Sequence, residues 1–143
     1  MAQGGKDRMI RVLDWAAMRG VAPHRGGEAS YVSTPSGARL FTAPAVLRAA
    51  GVTWLYAADG GATQAWTLSG RTLAPRWKVE HAGTRPVASG GMLFVYDPLD
   101  GVLDIWRRKQ PSSTERTLDR FQRPPRLLLE GGKEPPVRLY CPT

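Results

Sequence analysis

The sequence predicts an all-β fold assembled from repeated units of short antiparallel strands, preceded by a short N-terminal helix. Three observations predict it. A central stretch is one pattern written twice at a spacing near forty residues, Gly and Pro punctuate short β-branched and aromatic runs, and the net charge is confined to the two flanks.

The first copy of the pattern reads Ala43-Pro44-Ala45-Val46, a connector to Gly51, Thr53-Trp54-Leu55-Tyr56-Ala57-Ala58-Asp59-Gly60-Gly61, then Gln64-Ala65-Trp66-Thr67-Leu68. The second reads Arg85-Pro86-Val87-Ala88, Gly90-Gly91, Met92-Leu93-Phe94-Val95-Tyr96-Asp97, a turn through Pro98 to Gly101, then Val102-Leu103-Asp104-Ile105-Trp106. Pro44 and Pro86 lie 42 residues apart, Asp59 and Asp97 38, and Trp66 and Trp106 40. A period near forty with about four strands per unit is the pattern of a propeller blade. The expected fold class is therefore a partial β-propeller of two to three four-stranded antiparallel blades, with a short N-terminal helix.

Composition agrees with one domain. The 143 residues are 42% hydrophobic, with five Trp and four Tyr that suit strands packed face to face. Gly 16 and Pro 12 are high for a helical protein and ordinary for many strands joined by tight turns. The formal charge of +8 has two sources. Residues 44–106 carry five Arg/Lys against five Asp/Glu, whereas residues 1–43 carry six against three and residues 107–143 nine against four. Basic flanks on a neutral centre are either solvated surface or an anion-binding face.

Three organisational units follow: residues 1–37, a basic helix and first strand; residues 38–106, the two repeats; and residues 107–143, a basic Pro/Arg-rich tail with a degenerate third repeat in view. Asp7 is placed to cap a helix from Arg8 to Arg19, because Ile10, Leu13 and Ala17 fall on one helical face and Gly20 supplies a stop. Such a helix would cover an exposed sheet edge or serve as a membrane-surface segment. Ala29–Thr34 reads as a strand closed by Pro35-Ser36-Gly37, and Leu40–Thr42 as another. In the repeats, Pro precedes a strand where its missing N–H costs least. Gly51 and Gly90-Gly91 mark hairpins, and Asp59 and Asp97 cap turns through backbone N–H groups two residues on. Trp66 and Trp106 are expected to pack between neighbouring sheets. In the tail, Pro125, Gly131-Gly132 and Tyr140 align loosely with Pro86, Gly90-Gly91 and Tyr96. Thr114–Phe121 is a strand or a short helix.

Few residues point to chemistry. Cys141 is the only cysteine, so no disulfide forms within the chain and no Cys-based metal cluster can. His24 and His81 are the only histidines, each beside turn residues, and read as surface imidazoles. Asp97 and Asp100 flank a turn and could hold calcium, although a turn cap explains them equally without a ligand. No Gly pair is followed by the Lys-Ser/Thr of a phosphate loop. No run approaches the roughly eighteen apolar residues that cross a bilayer, and the N-terminus lacks the apolar core of a secretory signal. The candidate anion-binding residues are Arg107, Arg108, Lys109, Arg116, Arg120, Arg123 and Arg126.

The runs Thr42–Val46, Trp54–Gly61, Ala65-Trp66 and Thr84–Asp97 resemble the blades of quinoprotein-like β-propellers, closest to the PQQ-binding-like repeat proteins of bacteria. The resemblance covers about 65 residues firmly. Enzymes of that family hold pyrroloquinoline quinone under a tryptophan, with calcium bound by carboxylates and amides, and some carry a vicinal disulfide. With one Cys and no Asn in this chain, that disulfide and ligand set cannot both be built, so no cofactor and no catalytic residue are expected. Proteins bearing the repeat are often secreted or periplasmic, and this sequence leaves the compartment open.

Three functions are consistent with the sequence. The first is a non-catalytic propeller repeat acting as a protein-interaction module, its blades completed by another protein or by copies of itself. The second is a fragment of a quinoprotein dehydrogenase-like protein. The third is a basic accessory subunit of a ribonucleoprotein complex, contacting nucleic acid through the basic tail.

Overall fold

The computed structural model describes residues 1–14, 16–18, 27–107 and 137–140. Eleven strands are formed among them: β1 (Ala2–Gly4), β2 (Met9–Leu13), β3 (Glu28–Ser33), β4 (Ala45–Ala49), β5 (Val52–Ala58), β6 (Thr63–Ser69), β7 (Thr72–Val79), β8 (Val87–Ser89), β9 (Met92–Asp97), β10 (Val102–Arg107) and β11 (Val137–Tyr140). They make three small sheets, with β1-β2-β3 in the first, β4-β5-β6-β7 in the second and β8-β9-β10-β11 in the third. Neighbours are antiparallel, except that β11 runs parallel to β10.

The second and third sheets open with the same hairpin. Ala49 pairs with Val52 across Ala50-Gly51, and Ser89 pairs with Met92 across Gly90-Gly91. All four connecting residues have positive φ, at 48° and 74° in the first and 57° and 75° in the second. Two consecutive left-handed residues match the right-handed twist of the flanking strands, which explains glycine here.

The second sheet lies between the other two. Along β5, alternation sends Trp54, Tyr56 and Ala58 to one face and Leu55 and Ala57 to the other. The first set joins Ala65, Leu93, Val95 and Trp106 in the core shared with the third sheet. The second set joins Ile10, Val12, Leu40, Trp66 and Leu73 in the core shared with the first sheet. A strand buried on both faces is written as a continuous apolar run, as 54–58 is. First strands meet first strands, β4 against β8, and last strands meet last strands, β3 against β7. Among the described residues the three sheets stack in chain order and do not close on one another.

Several expectations need correction. Residues 9–13 of the expected helix form β2, and no helix occurs among the described residues. Ile10 and Val12, two residues apart, both enter the core shared with the second sheet, and their β-branched side chains favour a pleated strand. Asp7 caps a hairpin instead of a helix, accepting a hydrogen bond from Met9 N at 3.3 Å, and Arg8 turns the chain with φ at 69°. Among the described residues the helical tendency is seen as a turn, where Met18 N donates to Asp14 O at 3.2 Å. Leu40–Thr42 is not a strand; Leu40 instead plugs the core between the first and second sheets from a loop. The strand predicted at 29–34 is present as β3. Sequence reading did not single out β7, which contains Pro75. That residue sits on an edge strand beside a bulge that shifts the register between Ala65 and Trp66, where a missing N–H is tolerated.

Candidate interaction site at the incomplete first sheet

The second and third sheets each have four strands and the first has three. Because β3 stands against β7, the first sheet runs out before it reaches the first strand of the second sheet. Among the described residues, no strand of the first sheet packs on β4 as closely as β8 does on its other face. A cavity of about 240 Å³ opens there, walled by Met1, Ala2 and Val12 on one side and by Val46, Arg48 and Leu55 on the other.

Strand periodicity puts these side chains in place. Ala45 and Leu47 of β4 pack on the core shared with the third sheet, so Val46 and Arg48 project to the opposite face. Val46 is 55% exposed on the edge strand of the second sheet. Arg48 is exposed and makes no ion pair among the described residues.

The backbone of β1 forms the other rim. Met1 N donates to Leu13 O at 2.8 Å and Leu13 N to Met1 O at 2.7 Å, while Gly5 N donates to Met9 O at 3.0 Å. In an antiparallel ladder the bonding residues alternate, so the N–H and C=O groups of Ala2 and Gly4 face away from β2. Among the described residues no strand pairs with that edge.

The outward face of the first sheet is polar by contrast. Arg11 bridges Asp7 at 2.5 Å and Glu28 at 2.7 Å. Its guanidinium, hydrogen-bonded to Asp7, holds that carboxyl below the ordinary value of 3.8, and the carboxylate in turn raises Arg11. Such exposed pairs contribute little to stability and mark a solvated surface.

Between the second and third sheets the aromatics form a ladder. Trp54 stacks on Tyr56 at 6.2 Å, Tyr56 meets Trp77 at 6.3 Å, and Trp77 meets Trp106 at 6.3 Å. Asp104 is buried, two residues before Trp106 on the same strand face. Trp66 and Trp106 are both buried, so they serve as core and not as an exposed ligand platform.

The turn aspartates behave as the sequence implies. Asp59 accepts from Gly61 N and Ala62 N, both at 3.0 Å, and also from Ser36 N at 2.8 Å and Ser36 Oγ at 2.6 Å. Asp97 accepts from Leu99 N at 2.9 Å and Asp100 N at 3.4 Å. The carboxylate of Asp97 faces turn N–H donors, the arrangement of a cap. Among the described residues no group of three His, Cys, Asp or Glu could hold a metal ion. Also among them, no helix is long and apolar enough to cross a membrane. His81 accepts from Thr63 Oγ1 through its backbone carbonyl at 3.1 Å.

Of the candidate anion-binding residues, Arg107 ends β10, with its backbone opposite Met92. Arg108, Lys109, Arg116, Arg120, Arg123 and Arg126 lie outside the described residues, as do His24, Cys141 and the stretch 114–121. The same holds for Pro125 and Gly131-Gly132, while Tyr140 ends β11 opposite Trp106. Sequence reading missed Ala2, Val46 and Arg48. Alternation in Ala45–Ala49 puts Val46 and Arg48 on one face, but only the strand count of the neighbouring sheet shows that this face is uncovered.

No known protein family, curated protein or solved structure matches the chain.

Proposed function

We propose that this chain is a non-catalytic repeat module of the propeller type whose open sheets dock another polypeptide. The observation that supports it most is the unclosed stack, in which, among the described residues, the first sheet ends one strand short and leaves Ala2 and Gly4 facing outward. An unpaired edge is a template for pairing with another chain, and stacked repeat units of this kind depend on neighbours to cover their faces. The matched hairpins, capped turns and tryptophans of the second and third sheets support the propeller-type reading, since they recur at one position per sheet. Mass in solution, measured by light scattering during size exclusion at moderate salt, tests the proposal. A multimer, or a protein whose melting temperature rises with a bound partner, is the expected result. A cooperative monomer near 15.6 kDa that no partner stabilises would overturn it.

A further inference from the structure

We infer that the gap beside β1 is a strand-addition site. It takes an extended segment of another polypeptide, laid antiparallel to β1, with a carboxylate opposite Arg48. This rests on the reading of the chain as an open docking module and names where and what it docks.

Four observations converge on one place. The neighbouring sheets have a fourth strand where, among the described residues, the first sheet has none. Those two first strands, β4 and β8, pack against each other, so the position over the free face of β4 is one that a strand fits. The N–H and C=O groups of Ala2 and Gly4 point into it, enough for a short strand such as the three-residue β8. The cavity of about 240 Å³ has apolar walls at Val12, Val46 and Leu55, with Arg48 as its cation.

Each feature selects a property of the occupant. Outward backbone groups select an extended main chain. The apolar wall selects a medium apolar side chain at the residue that points into the cavity, because burying Val46 and Leu55 removes apolar surface from water. Arg48 has no carboxylate partner among the described residues, so a Glu or Asp on the incoming strand that faces the second sheet supplies an ion pair across the gap between the sheets. Antiparallel direction follows the two sibling hairpins, in which the first strand is antiparallel to the second.

The probe is a fluorescein-labelled eight-residue peptide of alternating valine and threonine with one central glutamate. Binding is read by anisotropy and by hydrogen exchange at the amides of Ala2 and Gly4. Saturable binding with slowed exchange at those two amides is expected. A lysine in place of the glutamate should weaken it by about fivefold, and Arg48→Glu in the protein should reverse that preference. Arg48 is exposed, so an unchanged thermal melt of the variant is expected to show that its fold is intact. A peptide N-methylated on alternate residues keeps the side chains but cannot pair with an edge, and should lose binding.

The proposal falls if no saturable binding occurs, if N-methylation leaves binding unchanged, or if Arg48→Glu does not alter the charge preference. It also falls if β1 proves to be covered by a second copy that excludes the peptide. Failure of the peptide with a multimeric protein removes this site and leaves the docking module. Peptide binding by a monomer that nothing else stabilises keeps the site and removes the wider reading.

Discussion

Trp66 and Trp106 occupy the same position in successive sheets and face the same way along the stack. Each lies in the third strand of its sheet, and each is buried against the preceding sheet, Trp66 on the first and Trp106 on the second. Their spacing of 40 residues is therefore the chain length of one layer. A large flat side chain at this position fills the gap between two twisted sheets, where smaller residues would leave voids.

Replacing either tryptophan should uncouple one pair of layers. Trp66→Ala and Trp106→Ala should each cost about 3–5 kcal/mol, read as the shift in urea midpoint at unchanged slope. Trp66→Ala should loosen the first sheet, raising hydrogen exchange in β2 while β9 stays protected; Trp106→Ala should do the reverse.

The two turn aspartates should differ in weight. Asp59 accepts four hydrogen bonds, two of them from Ser36 in the loop that joins the first sheet to the second, whereas Asp97 accepts two from its own turn. Asp59→Ala should cost about 3 kcal/mol and Asp97→Ala about 1–2 kcal/mol in the same urea titration. Equal costs would show that the Ser36 bridge adds nothing.

Ala50 is held in the left-handed region at φ 48°. Ala50→Gly should stabilise by about 0.5 kcal/mol, because relief of steric strain exceeds the added backbone entropy of the unfolded chain. Gly51→Ala, at φ 74°, should destabilise by about 1 kcal/mol. Thermal melts of the two variants should move in opposite directions.

Close approach fixes Gly83 for a different reason. Its N–H donates to Asp59 O at 2.9 Å, tying the loop after the second sheet to the end of β5, and a Cβ there would run into the Val95 side chain and meet Ala58 Cβ at 3.2 Å. Gly83→Ala should cost about 1–3 kcal/mol by overpacking in a urea titration.

Acid should weaken the first sheet through Asp7. Its folded pKa is depressed below 3.8, first by the hydrogen bond to Arg11. A depressed carboxylate contributes stability that is fully present above its unfolded pKa and is lost as pH falls through the folded value. At low salt, Asp7→Asn should therefore unfold slightly more easily than the parent near neutral pH, as befits an exposed pair, and the two urea midpoints should converge as pH falls through the depressed value. Parallel curves across the whole range would show that the pair has no linkage to folding.

The sheets of the repeat region were legible because their signals are local. Gly51, Gly90 and Gly91 specify hairpins by conformation, Asp59 and Asp97 cap turns within three residues, and the continuous apolar runs 54–58 and 92–96 mark strands. The start of the chain was not legible in the same way. Ile10, Leu13 and Ala17 satisfy a helical period while Ile10 and Val12 satisfy a strand period, and a short segment carries both readings. Pairing with Tyr31 and Val32 of β3 settles it in favour of the strand, through contacts about twenty residues distant.

The sequence by itself determined an all-β chain with a forty-residue period, its hairpins and its turn caps, since backbone conformation and short-range hydrogen bonds depend on neighbours in the chain. Tertiary structure alone decided that the first sheet is a third layer in place of a covering helix, that β11 joins β10 in parallel, and that among the described residues no strand covers Val46 and Arg48 of β4. Each of these turns on which strands meet across the stack, and burial between layers is a property of the packed assembly that no local pattern encodes.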